Sequence, residues 1–218
     1  YIGMEMCESF RKRGLDVTVI EKTDRVLGNM DTSITNVVEE KLRTEGVKLF
    51  KNTSVQGFSG DKGSVKKVIT DKGEIEADLV LIAIGARPNT ALAKQAGIEL
   101  GVNSAIKVDE FLRTNIPHVY AAGDCAEAIH IVTGKKVYIP LGTTANKQGR
   151  IAGENAAGKD NRFEGVAGTA VTKIFDLEVS RTGLSPIEAQ RATNTSMALS
   201  CRIPQEGGNP AAPAWQFP

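Results

Sequence analysis

Two helix-then-strand units within residues 1–50, a pair of Asp-Lys-Gly turns behind them and one nearly continuous apolar run predict an α/β chain that carries an antiparallel meander. With 218 residues, 41% hydrophobic and 24% charged, the chain holds enough apolar material for one or two packed domains. The formal net charge is +1, with acids and bases interspersed, so there is no basic stripe for nucleic acid and no single-sign block for anionic lipid. Residues 77–86 form the most apolar run, but Asp78 interrupts it and it falls short of the roughly 18 residues of a membrane span. It is expected to be a buried strand, and neither nucleic acid nor membrane is expected as a partner. Three cysteines, Cys7, Cys125 and Cys201, are odd in number and far apart. That pattern argues against a disulfide framework or zinc cluster and fits small buried residues in a reducing, cytoplasmic compartment.

The elements follow in order. Met4, Met6, Cys7 and Phe10 recur at helical spacing over residues 3–13, and Gly14 supplies a stop before a strand over 16–20. After a loop through Leu27-Gly28-Asn29, a second stripe, Ile34, Val37, Val38 and Leu42, runs to Gly46 and a short strand over 47–50. Asp61-Lys62-Gly63 and Asp71-Lys72-Gly73 place glycine where a tight hairpin needs positive φ, which predicts the meander. It feeds Leu79-Val80-Leu81-Ile82-Ala83-Ile84, a run of the kind covered on both faces in a parallel sheet. The sequence Gly85-Ala86-Arg87-Pro88-Asn89 then breaks the chain, because proline drives Arg87 toward extended backbone. A short helix over 90–96 and strands over 106–108 and 119–122 come next. A long helix over 142–157 carries small residues, Ala145, Gly149, Ala152, Gly153 and Ala156, suited to close approach to a sheet or a ligand. Residues 169–175 are strand-like, and Ser185-Pro186-Ile187-Glu188 marks a helix start.

Gly3 and Glu21 turn the first unit into a Rossmann-like motif. In G-x-G-x-x-G the last glycine admits close helix packing, and an acid roughly 20 residues on receives the ribose hydroxyls. The first strand and the two earlier glycines would lie upstream of Tyr1, so the chain is expected to be a piece of a longer protein.

Together these residues resemble the flavin-dependent pyridine nucleotide-disulfide oxidoreductases, closest to their coenzyme A-disulfide reductase and NADH oxidase branch. Residues 1–21, 81–89, 114–127 and 140–158 carry the resemblance, and 168–189 is similar to the start of that family's dimerisation domain. The resemblance implies a dinucleotide-binding domain with its meander over 1–89, the C-terminal part of an FAD-binding domain over 90–164, and a truncated α+β dimerisation domain with an aberrant tail over 165–218.

It also implies roles. Tyr1 and Glu5 match positions near the nicotinamide, where Tyr1 covers the flavin face and Glu5 orients the carboxamide; Glu5 equally suits the positive end of a helix dipole, and Ile2 and Gly3 between them are cofactor-binding positions of the same turn. Glu21 would repel a 2′-phosphate and favour NADH, whereas its neighbour Lys22 could tolerate the phosphate of NADPH. Gly85 matches the glycine where the backbone passes the dinucleotide, and it also reads as a plain strand-end turn. Residues 114–124, ending in Gly123-Asp124, resemble the second flavin fingerprint, in which a strand delivers aspartate to the ribitol and pyrophosphate. Leu141, Gly142, Thr143 and Ala145 resemble the helix start that faces the flavin pyrimidine edge.

The implied activity is hydride transfer from NADH or NADPH through FAD to a small-molecule disulfide such as coenzyme A disulfide, or to oxygen or peroxide. A redox cysteine belongs upstream, and none of the three present matches it. Two other readings stand beside this one: a reductase of a small iron-sulfur carrier, marked by absence of that cysteine, and a non-catalytic nucleotide-binding fragment. Past Arg191 the likeness to the dimerisation domain ends, and 201–218 looks frameshifted. A homodimer is therefore expected of the whole protein and not of this piece.

Overall fold

The computed structural model describes residues 1–193. Cys201 and the divergent tail over 201–218 lie outside the described residues. Helix α1 (Ile2–Lys12) buries Met4 and Cys7. It ends where Gly14, at φ +77, lets the Gly14 and Leu15 amides reach back to the carbonyls of Arg11 and Phe10. Strand β1 (Thr18–Ile20) follows, then α2 (Thr32–Thr44) and β2 (Lys48–Phe50), which pairs parallel to β1 with Val19 opposite Leu49.

The meander is present as β3 (Val55–Asp61), β4 (Ser64–Thr70) and β5 (Gly73–Glu76), in that spatial order. Lys62 and Gly63 both take positive φ, 50° and 81°, in the first tight turn, as a two-residue hairpin loop requires. Beyond it come α3 (Ala91–Gln95), the short antiparallel pair β6 (Ala128–Ile129) and β7 (Lys136–Val137), and α4 (Gly142–Ala156). Next are the antiparallel hairpin β8 (Ala170–Ile174) and β9 (Leu177–Arg181), and α5 (Pro186–Thr193). Helix α5 opens on reciprocal bonds: the Ser185 amide donates to Glu188 Oε2 at 2.7 Å and the Glu188 amide to Ser185 Oγ at 3.3 Å.

Apolar burial falls into two clusters. One joins Met4, Cys7, Val38 and Leu42 of the front unit to Ile174, Phe175 and Val179, so the β8–β9 hairpin packs on α1 and α2. The other gathers Ile106, Leu112, Ala121, Ala152 and Phe163 beneath α4.

Four expectations need correction. The run 79–84 is not a strand: Leu79, Ile82 and Ile84 are 59%, 62% and 92% exposed. A strand needs a hydrogen-bonding neighbour, and β1 has its ladder with β2, while among the described residues none pairs with this run. Residues 106–108 and 119–122 likewise form isolated bridges, Ile106 to Leu100 and Ala126, and Tyr120 to Arg113, in place of strands. On α2, Val37 is exposed, and the inward positions are Thr35, Val38, Glu39 and Leu42. Glu39 is tolerated there because Lys51 meets it at 2.6 Å and the Val26 amide donates to it. On α4, Gly149, Gly153 and Ala156 face solvent, and the buried face is Thr144, Gln148, Ala152 and Asn155.

Candidate functional site

The first group of candidate residues sits around the start of α1. Gly3 approaches the apolar run closely: a Cβ on it would stand 3.4 Å from the Cβ of Ala83. Below it, Cys7 Sγ donates to the Gly3 carbonyl at 3.2 Å, and burial pushes the Cys7 thiol up to about 11. Cys7 is therefore an inert prop of the turn. Tyr1 caps the helix by position alone, with no side-chain bond to it, and its hydroxyl accepts from Asn29 Nδ2 at 2.8 Å. Ile2 is 67% exposed. Glu5 Oε1 accepts from Thr172 Oγ1 of β8 at 2.7 Å.

Glu21 stands one residue past the end of β1, at the carboxyl edge of the parallel pair, where α/β ligand sites belong. The Thr23 amide and hydroxyl both donate to Glu21 Oε1, each at 2.8 Å, which fixes the carboxylate. Lys22 is fully outward. Gly85 turns at φ +98, a conformation that suits glycine, with no heavy atom within 4 Å of where a Cβ would stand.

The second group lies at the start of α4. Gly123, at φ +83, comes so close to the helix that a Cβ on it would lie 3.6 Å from the Cβ of Ala145. Its amide donates to Gln148 Oε1 at 2.9 Å, and Gln148 Nε2 donates onward to the Glu127 carbonyl at 3.1 Å. Asp124 follows with an exposed side chain, and Tyr138 donates its hydroxyl to the Asp124 carbonyl at 2.9 Å. Burial first, then the neighbouring Asp124 carboxylate, raises the Tyr138 phenol above its ordinary value, which keeps this donor protonated. Asp124 thus leaves a glycine turn held by side chains of α4 and its approach, where a strand end was expected.

Helix α4 begins on Leu141, whose side chain supplies no cap, and Gly142 and Thr143 are exposed. No side chain closes its first amides, and uncapped amides at a helix start are donors of the kind that anionic or carbonyl oxygen atoms can meet. The structure brings Gly123, Asp124, Leu141, Gly142, Thr143 and Ala145 into one neighbourhood, and Tyr1, Gly3 and Glu5 into another.

Five contributors escaped the sequence reading. Gln148 and Asn155 share a face with Ala152 at helical spacing, which was a usable signal. Thr172 occupies an inward position of β8, whose burial alternates strictly. Asn29 and Tyr138 gave none. Among the described residues no cluster of His, Cys, Asp and Glu could hold a metal ion, and no helix is long and apolar enough to cross a membrane.

Comparison with known proteins places the sequence and the fold. The model of the family described as pyridine nucleotide-disulphide oxidoreductase matches residues 1–149. The NAD(P)H sulfur oxidoreductase (CoA-dependent) of Pyrococcus furiosus is 49% identical over 192 residues, covering 87% of this chain and 42% of that protein. The NAD-dependent persulfide reductase from A. fulgidus superposes with a TM-score of 0.84 at 40% identity, over 88% of this chain and 36% of the other. The water-forming NADH oxidase from Lactobacillus brevis, solved with NADH bound, gives a TM-score of 0.82 at 33% identity, over 88% and 43% of the two chains. The chain thus spans less than half the length of each of these relatives. A Rossmann-like front with its meander, a flavin-type middle and a matching family model converge on one conclusion: the chain belongs to the pyridine nucleotide-disulphide oxidoreductase family.

Proposed function

We propose that these residues are the reductant-binding part and the adjoining flavin-binding part of an FAD-dependent oxidoreductase that uses NADH in preference to NADPH. Residues 1–89 form the dinucleotide unit, 90–164 the rear of the flavin unit and 165–218 the entry to a dimerisation unit, with a homodimer as the state of the whole protein. The acceptor is a small-molecule disulfide such as coenzyme A disulfide, with oxygen or peroxide second. The sulfur oxidoreductase and persulfide reductase among the relatives support that order.

One observation carries the reading: the Gly123-Asp124 turn is packed against the open start of α4 through Ala145 and Gln148. The residues present fit FAD. Gly123 removes the side chain that would bar backbone approach, Asp124 offers an exposed carboxylate to hydroxyl groups, and the uncapped amides near Gly142 and Thr143 can donate to carbonyl oxygens. When bound, FAD supplies the two-electron relay between NADH and the acceptor. The partial positive charge at the start of α4 favours the added negative charge at that edge. At the other group, Glu21 receives ribose hydroxyls on the oxygen that Thr23 leaves open, Tyr1 and Ile2 border the nicotinamide, and Glu5 accepts its carboxamide NH₂.

The test is the full-length gene product. Bound flavin whose visible absorbance bleaches with NADH, and NADH consumption that rises with coenzyme A disulfide, are expected. A protein that binds neither flavin nor NADH overturns the reading. Glu21→Ala should reduce the NADH-over-NADPH preference about ten-fold, measured as the ratio of the two dissociation constants.

A further inference from the structure

Thr172 is a polar side chain 3% exposed on the inward face of β8, between the buried Ala170 and Ile174. A hydroxyl buried at such a place is retained where it has a partner, and here it donates to Glu5 Oε1 at 2.7 Å. The hairpin touches α1 and its surroundings twice more. The Phe175 amide donates to Glu8 Oε2 at 3.0 Å. Arg181, at the end of β9, donates to the carbonyl of Asn29, the residue whose side chain holds the Tyr1 hydroxyl. Arg181 is itself fixed by Glu188 at 2.6 Å and by the Gly183 carbonyl at 2.9 Å. Tyr1, Glu5 and Glu8 share one face of α1 at helical spacing. A segment some 170 residues downstream thus sets the side chains of that face.

We propose that Thr172 is a positioning residue for reductant binding: the β8–β9 hairpin aims the Glu5 carboxylate, through the Thr172 hydroxyl, at the carboxamide end of the nicotinamide nucleotide. The inference rests on the reductant site proposed above. One Glu5 oxygen is occupied by Thr172, which leaves the other to accept the carboxamide NH₂ in a fixed orientation. Without the hydroxyl, the carboxylate samples several rotamers and the nicotinamide loses a preset acceptor, while the adenosine half at Glu21 is untouched.

The experiment compares NADH with ADP-ribose, which shares everything but the nicotinamide ring, by fluorescence titration of the full-length gene product. Thr172→Val keeps the shape and suits a buried strand position, so the fold is expected to hold. It should weaken NADH about ten-fold and leave ADP-ribose unchanged. Thr172→Ser should restore NADH binding, and adding Thr172→Val to Glu5→Gln should weaken it no further. Equal losses for both ligands, or no loss for either, overturn the inference while Glu5→Gln still weakens NADH alone. If Glu5→Gln changes nothing, or the unaltered full-length protein binds no NADH, the site reading itself is overturned and the inference with it.

Discussion

Helices α2 and α4 begin in opposite ways. At α2 the Asp31 carboxylate accepts from the Ser33 amide at 2.9 Å and from the Ser33 hydroxyl at 2.6 Å, so the turn is satisfied by its own sequence. At α4 the corresponding residue is Leu141, which offers no acceptor, and the next two residues are exposed. Helix α5, with its Ser185 and Glu188 pair, follows α2. Helix α1, led by Tyr1, follows α4. The short α3 also lacks a side-chain cap, but among the described helices of eight residues or more the two without one are those whose starts carry the two groups of candidate residues. A helix that closes its own end, as α2 does, has no free donors there, whereas an uncapped start such as that of α4 leaves donors for something else to close.

The contrast can be broken by closing α4. Leu141→Asp should stabilise the helix by about 1 kcal/mol in thermal unfolding. The same carboxylate competes for the uncapped amides, so FAD affinity of the full-length protein should fall on the order of 100-fold; unchanged affinity would remove α4 from the site. Next in size is Gln148→Leu, which strands the Gly123 amide and the Glu127 carbonyl and should cost roughly 1–3 kcal/mol in denaturant unfolding. Asp31→Ala should cost about 1 kcal/mol and leave nucleotide binding alone, because none of the candidate residues lies on α2.

The smallest effect is a pH dependence. Bonds from the Ser33 hydroxyl and amide hold the Asp31 carboxyl below its ordinary value, against a weaker upward pull from burial. A depressed folded value means that the α2 cap is fully effective above the ordinary aspartate range and is lost as pH falls through the lowered one. Hydrogen exchange at the first amides of α2 should quicken over that acid window, while those of α4 should not respond. Glu188 sharpens the point: burial raises its carboxyl, but the Ser185 amide and Arg181 more than offset this, so α5 should loosen toward acid in the same sense.

Helices and hairpins were legible because their signals are local. Periodic apolar side chains, Gly14, and the Lys62-Gly63 turn act on neighbours a few residues away. The run 79–84 was misread because apolarity records what a segment wants covering it and says nothing of whether a backbone edge lies alongside. The stripe of Gln148 and Asn155 was passed over for the converse reason: polar residues on a helix ordinarily mark its wet face, and here their partners are backbone groups as distant as Phe111 and Gly123. Gly3, Glu21, Asp124 and Gly142 were legible as a pattern in chain order. That Thr172 meets Glu5 was not, since nothing in either segment refers to the other.

Leu79-Val80-Leu81-Ile82-Ala83-Ile84 has six uncharged residues without proline or glycine, rich in branched side chains, and its bulky members lie bare. Such a stretch is a template for stacking between copies, so handling this polypeptide becomes a colloidal problem before it becomes an enzymological one.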